Sequence, residues 1–260
     1  QIVLAKILAA WTVALTFLAA SLPALLFTVL AGGVRPDTLA ASLGVLVLEL
    51  GVVAAVGVGL SGLIVRPLFS VVTTYLVVAA LSIGTLIAFT LGGLAMQTER
   101  TQTYIGVDYS VGGEFDPQTG LPENVVCLEP DTYTYPVPRF DLVWGILAAN
   151  PYIVLADAAP TTFTRDGFPE DLFGQIALGV RSAQLPIEVD EVIDECAAAL
   201  AGDLNSAYEY ESPQQIFDRT VPSWFVGLAI HLVLAGAALA GAVVRTRTPA
   251  GRLPTGSRVA

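Results

Sequence analysis

Two ionisable residues stand inside long apolar runs. Glu49 interrupts the run from Thr38 to Val65, and His231, the chain's sole histidine, interrupts Trp224–Val244. A carboxyl and an imidazole at that depth can share or pass a proton, or line a polar pathway; intramembrane ionisable groups are costly and face a cavity or each other. Either they pair in the interior, or a protonated Glu and a neutral His each bond a neighbouring helix. Cys127 and Cys196, the only cysteines, offer a second chemistry. Outside the cytoplasm two thiols 69 residues apart oxidise readily if they meet, and such a bridge contributes about 4 kcal/mol by restricting the unfolded chain. The alternative is two separate buried thiols.

Other chemistry finds little support. No P-loop and no G-x-S-x-G elbow occurs, one histidine cannot build a His-rich metal site, and the acidic residues form no EF-hand loop. We expect neither catalysis, nor a metal, nor a cofactor in this chain. Gly57-Val58-Gly59-Leu60-Ser61-Gly62 matches the dinucleotide pattern G-x-G-x-x-G. That fingerprint needs a strand before it and a helix after it; inside an apolar run the glycines instead let helix backbones approach. Gly236, Ala237, Ala240 and Gly241 read the same way.

The elements that position these residues follow from composition. The 260 residues are 54% hydrophobic and 13% charged, with a formal charge of −11 and a mean hydropathy of +0.69. Soluble domains carry about 25% charged residues, so a simple soluble globule, a disordered chain and a nucleic-acid binder are excluded. The charge is segregated. Residues 97–220 hold 21 of the 23 acids against five arginines, a net −16, and the remainder is +5. Lys6 is the only lysine beside 11 arginines, a bias that resembles high-GC bacterial coding.

Four apolar stretches reach the roughly 20 residues that span a bilayer: Ile7–Leu30, Thr38–Val65, Phe69–Met96 and Trp224–Val244. The first is too long for a signal h-region. None alternates as a barrel strand would. The expected fold is an all-α polytopic membrane protein with four transmembrane helices and a mixed, partly helical extracytoplasmic insert. Its parts are residues 1–96, the first three helices; 97–220, the acidic insert; 221–245, the last helix; and 246–260, a basic tail. Lys6, Arg66 and the tail bases Arg245, Arg247, Arg252 and Arg258 share one side if the helices alternate, which is cytoplasmic by the positive-inside rule. Glu49 and His231 then lie about 15–17 Å below the outer surface, near the midplane. Within the insert, Thr101–Pro138 reads as turns and short strands, and Asp141–Ala156 as an apolar stretch broken at Asn150-Pro151. Glu170–Ala183 and Ile187–Ala201 read as helices, the latter with Asp190, Glu191, Asp194 and Glu195 on its wet side.

Several segments resemble an ABC-2-type transporter permease, the membrane subunit of a bacterial ABC exporter. They are the opening Gln1-Ile2-Val3-Leu4-Ala5-Lys6, the segment Asn150-Pro151-Tyr152-Ile153-Val154-Leu155-Ala156-Asp157, and the ending Arg245-Thr246-Arg247-Thr248-Pro249 with Leu253-Pro254 and Val259-Ala260. The resemblance implies the last four helices of a six-helix permease, two further helices before Gln1, and short re-entrant helices near Asp141–Ala156. It also implies alternating access driven by a cytoplasmic ATPase subunit, which binds ATP and Mg, and pairing with a second permease copy or paralogue. Lys6 and the Arg66-Pro67 turn become coupling contacts, or Arg66-Pro67 is an ordinary basic turn. The rival class is a membrane-anchored protein with an extracytoplasmic sensor, binding or enzymatic domain.

Overall fold

A computed structural model describes residues 2–31, 34–111, 113–115, 120, 122, 124–208 and 211–246. Gln1 and the basic tail at 247–260, with Arg247, Arg252 and Arg258, lie outside the described residues. Among the described residues, four helices are long and apolar enough to cross a membrane: α1 (Ile2–Leu30), α2 (Pro36–Leu63), α3 (Pro67–Ala95) and the last helix, Ser223–Thr246. Proline stands at the first turn of α2 and α3, where its missing N–H costs nothing. Pro23 lies within α1. α3 carries a π-helical segment at Ala80–Gly84.

Between α3 and the last helix comes the polar insert. Strands β1 (Gln97–Ile105), β2 (Asp131–Pro138) and β3 (Asp190–Asp194) form a sheet in the order β2-β1-β3, antiparallel on one side of β1 and parallel on the other. The short helices are α4 (Trp144–Ala148), α5 (Pro151–Asp157), α6 (Leu172–Ser182), α7 (Glu195–Leu200) and α8 (Pro213–Arg219), and the last span is α9 (Ser223–Thr246). α6 begins one residue after its cap, Asp171, whose carboxylate accepts from the Gly174 N–H at 2.7 Å.

The helix expected over Ile187–Ala201 is corrected. Asp190–Asp194 is strand and only Glu195–Leu200 is helix. Val189, Val192 and Ile193 are β-branched, and parallel pairing with Thr101–Ile105 outweighs a local helical preference. The Asp194 side chain then caps α7 by accepting from the Ala197 N–H.

Cys127 and Cys196 are disulfide-bonded, with Cα atoms 5.5 Å apart. Cys196 is fully buried beside Val107 and Ala199, so the bond fastens the long β1–β2 connection to α7. Next to it the Glu195 carboxylate accepts from the hydroxyls of Tyr104 and Tyr208. Both bonds hold Glu195 below the usual carboxylate range, and the first pushes Tyr104 up to about 12.

α2 is the hub of the spans, packing on α1, α3 and α9. Its closest neighbour is α9. A Cβ at Gly59 would lie 2.6 Å from the carbonyl carbon of Ala238, and one at Gly62 would lie 2.6 Å from the Ala242 Cβ. The apparent dinucleotide motif is thus a packing seam. On α9, Ala238 and Ala242 form it and Gly241 meets Leu63, whereas Gly236 faces open space, correcting its assignment to packing.

Candidate functional site

Glu49 and His231 meet. On α2, Thr38, Ser42, Val45, Glu49 and Val52 fall at helical spacing on one buried face. His231 is buried on α9 with Gly227 one turn before it and Ala235 one turn after. The α2–α9 seam brings these faces together, placing His231 Nδ1 2.9 Å from Glu49 Oε1. His231 is 1% exposed and Glu49 8%. The other ring nitrogen, Nε2, lies 2.8 Å from the carbonyl oxygen of Ala149. A carbonyl only accepts, so Nε2 carries a hydrogen. One further proton lies between Nδ1 and Oε1, and the pair is neutral overall whichever atom holds it.

That arrangement has a chemical consequence. With the shared proton removed, an imidazole lone pair faces a carboxylate. With a second proton added, the imidazolium N–H still finds the carbonyl oxygen of a neutral carboxyl, but the charge attraction is gone. Removing the shared proton breaks the Glu49–His231 bond, and adding a second one weakens it. Beside it lies a cavity of about 30 Å³ lined by both residues, Pro151, and valines of α2 and α3.

Ala149 belongs to a break in the insert. Residues 140–157 pack among the spans rather than with the sheet, through contacts of α4 and α5 with α9 and of α5 with α2. The helix stops at Ala148 and restarts at Pro151. Asn150, 1% exposed, caps α5 by accepting from the Tyr152 N–H. Its amide donates to the Ser82 carbonyl at 2.6 Å and Thr85 Oγ1 at 3.0 Å, at the π segment of α3. The dipeptide Ala149-Asn150 therefore ties α3 to the α2–α9 pair. By helical rise the joint sits about 12 Å along α9 from Ser223 and about 20 Å along α2 from Pro36. Gly227 makes room for it, since a Cβ there would lie 2.2 Å from the Ala148 carbonyl oxygen.

α5 ends in a second buried site that sequence reasoning missed. Asp157 Oδ1 accepts from Arg181 Nε at 2.8 Å. Its Oδ2 accepts from the Ser223 N–H at 2.5 Å, the Ser223 hydroxyl at 2.7 Å and the Trp224 N–H at 3.2 Å. The carboxylate thus satisfies the opening N–H groups of α9 and complements its dipole. Arg181 also donates to the Thr220 carbonyl and stacks over the Phe217 ring at 5.0 Å. The available signal was that Asp157 is the sole charged residue between Asp141 and Arg165.

The coupling candidates lie at the other end of the bundle. Arg66 precedes the first turn of α3, Pro67 opens it, and the Arg66 guanidinium lies 5.9 Å from the Phe69 ring centre. Arg245 donates to the Leu63 carbonyl at the end of α2. Lys6 is exposed within α1. Among the described residues no cluster of three or more His, Cys, Asp or Glu has metal-binding geometry. A cavity of about 700 Å³ opens where the α1–α2 connection meets the start of α6. Compared with known protein families, curated proteins and solved structures, the chain matches none of them.

Proposed function

We propose that the chain is the membrane-spanning permease subunit of an ATP-driven exporter of the ABC-2 type. The carrying observation is the joint at Ala149-Asn150, a broken helix that ties three spans around a buried ionisable pair. Interrupted helices at membrane depth survive only inside protein or along a cavity, and transporters use such breaks to move one set of helices against another. In this reading the acidic insert is extracytoplasmic, and the end bearing Arg66 and Arg245 is cytoplasmic in a bacterial cell membrane. A partner ATPase binds ATP and Mg and pushes on Lys6, Arg66 and Pro67. A second permease copy or paralogue completes the pathway. Glu49 and His231 are the polar groups that open and close it.

A membrane-anchored external binding module is the second reading, favoured by the 700 Å³ cavity at the base of the disulfide-bonded insert. It leaves the midplane joint without a role. Purification from native membrane decides between them. We expect an ATPase subunit, identified by its P-loop, to accompany the chain in stoichiometric amount, and ATP turnover in nanodiscs to fall in His231→Ala. Purification of the intact chain with no ATPase would replace the permease reading with the second one.

A further inference from the structure

The cavity of about 700 Å³ has the size of a small-molecule site. Val29, in the last turn of α1, Val34, and Leu172 and Phe173 of α6 give it an apolar lining. It therefore lies where the apolar spans give way to the polar insert. Leu30 and Leu172 are 86% and 66% exposed beside it, an apolar rim through which a hydrocarbon chain can enter from lipid.

Two hydroxyls in its lining lack partners. Thr38, 2% exposed, opens the buried face of α2, and Thr162 precedes α6; the Oγ1 of each is buried without a hydrogen bond. A buried hydroxyl left unpaired is costly, and rotation of either side chain to turn its hydroxyl into the cavity lets a ligand with a hydrogen-bonding head relieve that cost. The charge around the cavity is net negative. Arg35 is held by both oxygens of Asp37 at 3.0 and 2.6 Å. Asp171 caps α6, and Glu170 makes no ion pair among the described residues. Three carboxylates against one guanidinium, itself paired, favour a cation.

We infer that this cavity binds an amphiphile with an alkyl chain and an ammonium head. The chain lies between Val34 and Phe173, the ammonium faces Glu170, and the Thr38 and Thr162 hydroxyls turn inward from their buried positions to meet the head's polar atoms. The site stands whether or not the chain is a permease. If it is one, the cavity names the class of cargo or of bound lipid.

A diazirine-bearing alkylammonium tests this on the full chain in nanodiscs of phosphatidylcholine and phosphatidylglycerol, with labelled residues mapped by mass spectrometry. Labelling is expected on the peptides carrying Val34 and Leu172–Phe173, and not with alkyl carboxylate or alkyl glycoside analogues. Glu170→Gln is expected to weaken it about 5-fold. Thr38→Val should weaken it where Thr38→Ser does not. The thermal melt and the Cys127–Cys196 bond report that each variant is folded. Equal labelling by cation and carboxylate overturns the proposal, as does labelling spread along the outer faces of α1 and α3 or unchanged in Glu170→Gln. Phosphatidylethanolamine in the disc separates the sources: protection assigns the site to a lipid amine, and its absence assigns it to a free amine. No ATPase is needed, so the result is independent of the permease test.

Discussion

Two buried acid–base pairs sit at opposite ends of the seven-residue helix α5, and they are built differently. Asp157 has both oxygens occupied, by Arg181, the Ser223 N–H and hydroxyl, and the Trp224 N–H. Arginine does not give up its proton, so this carboxylate is a fixed charge that nails α9 to α6. Glu49 has a histidine for a partner and shares one proton with it. Both pairs are neutral overall, but the first is a permanent ion pair and the second is held together by a proton that can leave. A fixed charge suits the point where a span begins, and under the permease proposal a removable one suits a joint between spans that come apart.

Amide substitution attacks this contrast most directly. Asp157→Asn strands Arg181 in a buried site and should cost about 3–5 kcal/mol, read as a fall in melting temperature in detergent or nanodiscs. Gly227→Ala drives a methyl into the Ala148 carbonyl and should cost about 1–3 kcal/mol as the α4–α5 break shifts. It displaces Ala149 from His231, and hydrogen exchange along α4 and α5 should rise. Glu49→Gln should cost under about 1 kcal/mol, because the amide can donate to Nδ1 while Nε2 still donates to Ala149. A Glu49→Gln variant as unstable as Asp157→Asn would break the comparison. The smallest effect belongs to the Glu195–Tyr104 bond, outside the spans. Its contribution is complete below about pH 10 and is lost as pH climbs through about 12, because folding raises the Tyr104 pKa. At the acid end it is lost as Glu195, lowered in the fold, takes up a proton. Tyr104→Phe should reduce both dependences in stability measured against pH, the remainder being carried by the Tyr208–Glu195 bond.

The spans, the disulfide and the Glu49–His231 meeting were legible because each rests on scarcity: few charges in apolar runs, two cysteines, one histidine. β3 was not. Ile187–Ala201 mixes β-branched and helix-favouring residues, and its partner strand lies 89 residues back, at Thr101–Ile105. A pairing at that distance leaves no local mark. Asp157 and Arg181 hid among ordinary charges of an acidic insert, although Asp157 stood alone in its stretch. The broken helix at Asn150-Pro151 was visible as a break. That its carbonyl and amide would reach α9 and α3 was not, because that depends on the π segment of α3 and on Gly227, neither of which reads as a polar contact.

A single residue, Met96, separates α3 from β1. Its carbonyl and that of Gly93 both accept from the Arg139 N–H, at 2.7 and 3.2 Å, and β1 is the middle strand of the sheet. The insert is therefore mounted on α3 as a lever on a shaft. A tilt of that helix swings the whole sheet, with the disulfide and the tyrosine–glutamate cluster at its far end. With β1 about 30 Å long, a tilt of about 5° at the base moves the tip by about 2–3 Å, where a probe attached to the insert can read it.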